Sequence, residues 1–220
     1  MKLTNLFENT INHQQIKDWL DSMHIENYTI NEDGTVDVEG HVDIERGGAP
    51  HKQLTSIPVQ FGYVRGNFDC AHNKLTSLKG APKEVGGSFW CGNNKLTSLQ
   101  YAPRAVQGTF DCGKNLLTSL NGAPREVSVS FWCEDNNLTD LSGSPREVGG
   151  SFGCWKNKLT TLRGGPGKVG DDFICADNLL TTLQFAPSYI GGTLVFRDNN
   201  LGDNPDYSFI NIVKGVDNSR

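Results

Sequence analysis

The sequence predicts an α/β-type repeat solenoid, mostly β, whose stacked coils lay a parallel sheet along one face, with an N-terminal helix and hairpin closing one end. Three observations predict it. Cysteines recur every 21 residues, at Cys70, Cys91, Cys112, Cys133, Cys154 and Cys175. A phenylalanine stands two positions before each (Phe68, Phe89, Phe110, Phe131, Phe152, Phe173) and an asparagine three after (Asn73, Asn94, Asn115, Asn136, Asn157, Asn178). Leucine pairs from Leu75 and Leu78 to Leu180 and Leu183 follow, then prolines from Pro82 to Pro187, then Val85, Val106, Val127, Val148, Val169 and Ile190. A repeat this regular decides the architecture before any single segment is read.

Each part of the unit V-x-x-x-F-x-C-x-x-N-x-L-T-x-L-x-x-x-P has a physical task. F-x-C alternates with period two, so Phe and Cys share one face of a short strand. The asparagine turns the chain, and its amide can satisfy backbone groups that the turn orphans. The leucines reach back into the core. The proline keeps the return segment extended. No unit can bury its apolar side alone, so neighbours stack into a continuous core.

The ends depart from the unit. Ile16, Trp19, Leu20 and Met23 mark an amphipathic helix, with Asn12 as cap, Gln15 as its reciprocal partner and Ile11 as staple. Tyr28-Thr29-Ile30 and Val36-Asp37-Val38 flank Asn31-Glu32-Asp33-Gly34, a hairpin signal. Val42 and Ile44 resemble a degenerate strand, and an insertion around Gly47-Gly48-Ala49-Pro50 separates them from Leu54, Ile57 and Val64, which sit one repeat before Leu75, Leu78 and Val85. Leu194-Val195-Phe196 replaces the last F-x-C, and the segment from Tyr207 to Val213 is apolar enough to cover the final rung. The expected division is a helical and hairpin cap over 1–35, a solenoid of seven to eight rungs over 36–201, and a C-terminal cap over 202–220.

With these landmarks in place, the chain resembles the leucine-rich-repeat family, whose strand segment runs L-x-x-L-x-L-x-x-N-x-L. Phe89, Cys91, Asn94 and Leu96 fall on its last four landmarks, and the other repeats match likewise across roughly 36–201. The short period and the N-x-L-T-S-L…P return stretch are similar to repeats of bacterial type III secreted effectors. The Gly-Gly-Ser-Phe-x-Cys variant is more similar to leucine-rich-repeat proteins of bacteriophages. Unlike the effectors, no segment of ubiquitin-ligase size follows the repeats. The resemblance implies a leucine-rich-repeat superhelix and, through it, a protein-binding role inside a bacterial host.

Composition sets bounds. A net charge of −5 with pI near 5.5 does not favour nucleic acid as partner. There is no apolar run of membrane-spanning length, and the N-terminal residues lack a secretory core, so a cytoplasmic location is expected. One cysteine per unit does not fit the paired spacing of a zinc site, and the six read as a ladder of small buried hydrophobes in a reducing compartment. His41, His51, Cys70 and His72 are the one grouping from which a metal-dependent or hydrolytic site could be built, although His72 follows the strand and is expected at the surface. No phosphate loop, nucleophile elbow or H-E-x-x-H occurs. No enzymatic activity, metal or cofactor is expected.

Parity singles out the candidate site. If Phe and Cys face inward, the residue between them faces outward: Asp69, Trp90, Asp111, Trp132, Gly153, Ile174 and Val195. The position after the cysteine faces outward too, giving Glu134 and Trp155. Three of the four tryptophans thus fall on one exposed face, edged by Asp69, Asp111, Glu134 and Asp135. Leaving an indole in water forgoes roughly 1.5–3 kcal/mol of burial, and tryptophan is enriched at binding hot spots. The expected partner is a protein, with self-association as the competing use of the face; rings lying flat over small neighbours would explain the indoles without a partner. A basic row, Lys83, Arg104, Arg125 and Arg146, runs beside Glu84, Glu126 and Glu147 and reads as a solvated edge. The function expected is a non-enzymatic binding module, such as a phage inhibitor or adaptor of a host protein. Its alternatives are a structural assembly component and a hidden metal-dependent enzyme.

Overall fold

A computed structural model of the chain describes residues 13–45 and 53–219. Asn12, Ile11, the Gly47–Pro50 insertion and His51 lie outside them. The described chain is a parallel β-solenoid of 21-residue coils with one helix. No helix among these residues is long and apolar enough to cross a membrane.

Helix α1 (His13–Ser22) buries Ile16 and Leu20 and lays Trp19 edge-on against Phe61, with ring centroids 6.3 Å apart. Strands β1 (Tyr28–Ile30) and β2 (Thr35–Val38) form the expected antiparallel hairpin, and β3 (Val42–Asp43) is the degenerate strand. Strand β4 (Gln60–Val64) then pairs with β2, which joins hairpin to solenoid.

From there each coil contributes two strands, and this corrects the expectation of one sheet. The F-x dipeptides form β5 (Phe68–Asp69), β7 (Phe89–Trp90), β9 (Phe110–Asp111), β11 (Phe131–Trp132), β13 (Phe152–Gly153) and β15 (Phe173–Ile174). The x-V dipeptides form β6 (Glu84–Val85), β8 (Ala105–Val106), β10 (Glu126–Val127), β12 (Glu147–Val148), β14 (Lys168–Val169) and β16 (Tyr189–Ile190). Strands β17 (Thr193–Val195), β18 (Asn211–Ile212) and β19 (Gly215–Asp217) close the series. Among the described residues this yields a ten-stranded sheet carrying the valines and a nine-stranded sheet carrying the phenylalanines. The β-branched valine, held extended by the buried proline three residues earlier, alternates with an outward residue and so satisfies the strand pattern on its own.

The tail also differs from expectation. It covers the last coil with Ile210 and with Tyr207, whose ring centroid lies 6.1 Å from that of Phe196, but it also adds a further rung, since β18 pairs with β16 and β19 with β17.

The corner between the two strands of a coil is narrow. A Cβ on Gly170 would drive into the Gly149 carbonyl oxygen, and one on Gly191 into that of Gly170. Backbone stacks on backbone there, so glycine fits at Gly170 and Gly191 where a side chain would force the corner to shift. Where Gln107 and Ser128 occupy the position, the corner N–H donates at 3.2 and 3.4 Å, against 2.9–3.2 Å at Gly86, Gly149, Gly170 and Gly191.

The interior is a set of ladders. Rings from Phe68 to Phe173 stack at 5.3–5.6 Å with interplanar angles of 16° or less. All six cysteines are free and fully buried, and the paired leucines from Leu75 to Leu183 are buried with them. Burial pushes the thiols up, Cys175 to about 12. The asparagines do what the turn demands. Asn115 Nδ2 donates to the carbonyls of Cys91, Cys112 and Gly113, and its Oδ1 accepts from the Leu96 N–H, so one side chain ties adjacent coils.

Candidate functional site: the outer face of the phenylalanine sheet

Burial alternates along these strands as parity requires. Phe89, Cys91, Phe131 and Cys133 are fully buried, while Trp90 and Trp132 between them face out and are half-buried. Register brings Trp90, Asp111 and Trp132 into line, since β9 pairs with β7 on one side and β11 on the other. The two indole-bearing rungs are therefore two strand separations, about 10 Å, apart.

Trp132 and Trp155 are less exposed than parity alone implies, because they lean over glycine. A Cβ on Gly153 would meet the rings of both Trp155 and Trp132 at contact-violating distance. These rings meet edge to face, centroids 5.7 Å apart at 71°. Glu134 likewise lies on Gly113, and Asp111 leans toward Gly92. Large side chains thus lie over glycines of neighbouring rungs, and this part of the outer face is itself a thin packed layer.

Electrostatics follow from this partial burial. Asp69 is pushed up to about 6, first by burial and further by Asp43 and Glu45, with the Ala71 N–H pulling the other way. Burial also raises Asp111, which accepts the Gly113 N–H at 2.8 Å. Glu134 is raised by burial and by Asp111, and its Oε2 is buried with no hydrogen-bond partner. Asp135 stands apart, exposed at the following turn in left-handed conformation with φ 52°.

The chain matches no protein-family model, no curated protein and no solved structure.

Asp43, Glu45 and Asp69 bring their carboxylate oxygens within 4.8 Å of one another, the one such metal-competent group among the described residues. Sequence reading passed over it. The signal was present in the Val42/Ile44 alternation, which turns Asp43 and Glu45 outward beside Asp69 once β3 is paired with β5. The histidine grouping does not assemble among the described residues. Cys70 is sealed in the core, His72 is exposed with Nε2 3.9 Å from Glu45, and His41 Nδ1 accepts the Asn67 N–H. On the other sheet, the basic row and its glutamates form no ion pair within 4 Å among the described residues; Glu126 and Glu147 sit side by side in register, both exposed.

Proposed function

We propose that the protein is a non-enzymatic binding module of leucine-rich-repeat type, engaging a protein partner through the outer face of its phenylalanine sheet. The reading rests mainly on one observation: Trp90, Trp132 and Trp155 present half-exposed indoles on consecutive or alternate rungs of a rigid sheet, with carboxylates between and beside them. A surface ordered before binding loses little conformational entropy when a partner docks. Tryptophans able to bury their remaining area are where binding energy concentrates. The likeness of the Gly-Gly-Ser-Phe-x-Cys repeat to bacteriophage proteins suggests a phage inhibitor or adaptor acting on a host protein in the bacterial cytoplasm.

The test is affinity capture with the full-length chain and the Trp90→Ala/Trp132→Ala variant as baits in bacterial lysate. The expected result is a partner retained by the first and lost by the second, both remaining folded by circular dichroism. Equal capture by both removes this face from the function.

A second reading, an assembly component, is favoured by the C-terminal end, where β18 and β19 are edge strands and Phe209, Val213 and Val216 are exposed. Size-exclusion chromatography with light scattering separates the two, because a lattice component is oligomeric without any partner.

A further inference from the structure

We propose that the rungs carrying Trp90, Asp111, Trp132 and Glu134 accept an arginine side chain of the partner, its guanidinium held by the carboxylates between the two indole-bearing rungs. The inference rests on the protein-binding reading above and names the chemistry of the contact.

Charge complementarity is the first ground. From β3 to β13 the outward positions carry Asp43, Glu45, Asp69, Asp111 and Glu134 and not one Lys or Arg. Among the described residues, no Lys or Arg lies within 4 Å of Asp43, Asp69, Asp111 or Glu134. Lys114, at the turn, acts on Asp111 and Glu134 through its charge, and Glu134 Oε2 is left without a donor. A partly desolvated carboxylate lacking a donor is costly to keep, and a cation that draws the Glu134 side chain outward and brings N–H groups removes that cost.

Geometry is the second. Asp111 lies in register midway between Trp90 and Trp132, whose rungs stand two strand separations, about 10 Å, apart, so a side chain reaching its carboxylate arrives between the two indole-bearing rungs. A cation near an indole face gains cation–π attraction. Guanidinium suits the place better than ammonium, because it is flat and presents a fork of N–H donors to carboxylate. A sugar suits it less. Sugar rings lie on broad aromatic platforms, whereas Trp132 and Trp155 meet at 71° and break any platform there.

The test is titration of the 15N-labelled full-length protein with acetyl-Gly-Gly-Arg-Gly-Gly-amide, with its lysine and citrulline counterparts, and with cellotriose, reading the indole N–H signals. Expected is saturable movement of the Trp90 and Trp132 signals by the arginine peptide while Trp19, across the molecule on α1, stays still. Citrulline, which keeps the shape and loses the charge, should bind about tenfold more weakly or worse. Asp111→Asn should weaken the arginine peptide to a similar degree; its amide oxygen can still accept the Gly113 N–H, so the turn is kept. Glu134→Gln gives a second variant should the first misfold. Citrulline binding as well as arginine, cellotriose moving the indoles in place of arginine, or no movement with arginine would each overturn the assignment. If arginine fails while capture still depends on Trp90 and Trp132, the binding face stands and only its ligand chemistry falls. If capture is also independent of them, both fall.

Discussion

Asn115 serves two coils at once. Its amide donates to three carbonyls and its oxygen accepts one N–H, all within the core. Asn115→Ala would strand several of these groups, and a buried group left without its partner costs about 1–3 kcal/mol. Loss of roughly 3 kcal/mol is expected, read from the urea midpoint at unchanged slope. Asp69 makes a different prediction, because its folded pKa of about 6 lies above its ordinary value of 3.8. Between those two values the folded chain holds more proton than the unfolded one, so its contribution to stability falls as pH rises and is regained on acidification from about pH 6 to about pH 4. Asp69→Asn should therefore raise the thermal midpoint at pH 7 and have little effect near pH 4. Because the group is partly exposed, the gain is held to about 1 kcal/mol or less.

At the scale of elements, the glycine corner and the return turn set opposite limits. Gly170→Ala drives a Cβ into the Gly149 carbonyl, whereas Gly167→Ala meets nothing closer than 3.9 Å. The first should destabilise by about 2–4 kcal/mol and the second by less than about 1 kcal/mol in the same denaturation assay. At the return turn, Gly80, Gly122, Gly143 and Gly164 adopt φ of 83–97°, and Tyr101 and Phe185 adopt 71° and 68° in the equivalent places. Both rings are more than half exposed. Tyr101→Gly or Phe185→Gly should thus stabilise by about 1 kcal/mol, since relief of left-handed strain outweighs the little packing lost. Strand F-x-C, the asparagine turn, the hairpin and the helix face were legible in the sequence because each follows from a period or a turn residue. The valine sheet was not. A two-residue strand carries one apolar position per coil, too short for any period to show, and only the stacking of coils makes it a sheet. The outer face was legible in direction but not in depth. Parity turned Trp90 and Trp132 outward, yet the lean of Trp132 and Trp155 over Gly153 depends on rings and glycines from different rungs. Asp43 and Glu45 were missed because their rung is displaced from the repeat by the insertion before Leu54.

For the molecule as a whole, each coil touches mainly its neighbours, so stability is a sum along one axis and loss of structure begins at an end. The ends are unequal. The N-terminal coil is covered by Ile16, Trp19 and Leu20, while the C-terminal coil leaves Phe209, Val213 and Val216 in water. Pulsed alkylation followed by mass spectrometry should find all six thiols protected in the native protein, and Cys175 modified before Cys112 and Cys133 under mild urea. Simultaneous labelling of all six would show a single cooperative unit instead. The asparagine bridges add one more consequence. Asn94, Asn115, Asn136, Asn157 and Asn178 each bind the coil beside them in the same pattern, so no junction records its place in the stack. Excising or duplicating one block of 21 residues, such as 107–127, would shorten or lengthen the rod by about 4.8 Å and give every surviving junction an equivalent neighbour. Copy number is then a heritable length that unequal recombination can change in whole steps, with the spacing of docking positions changing alongside it.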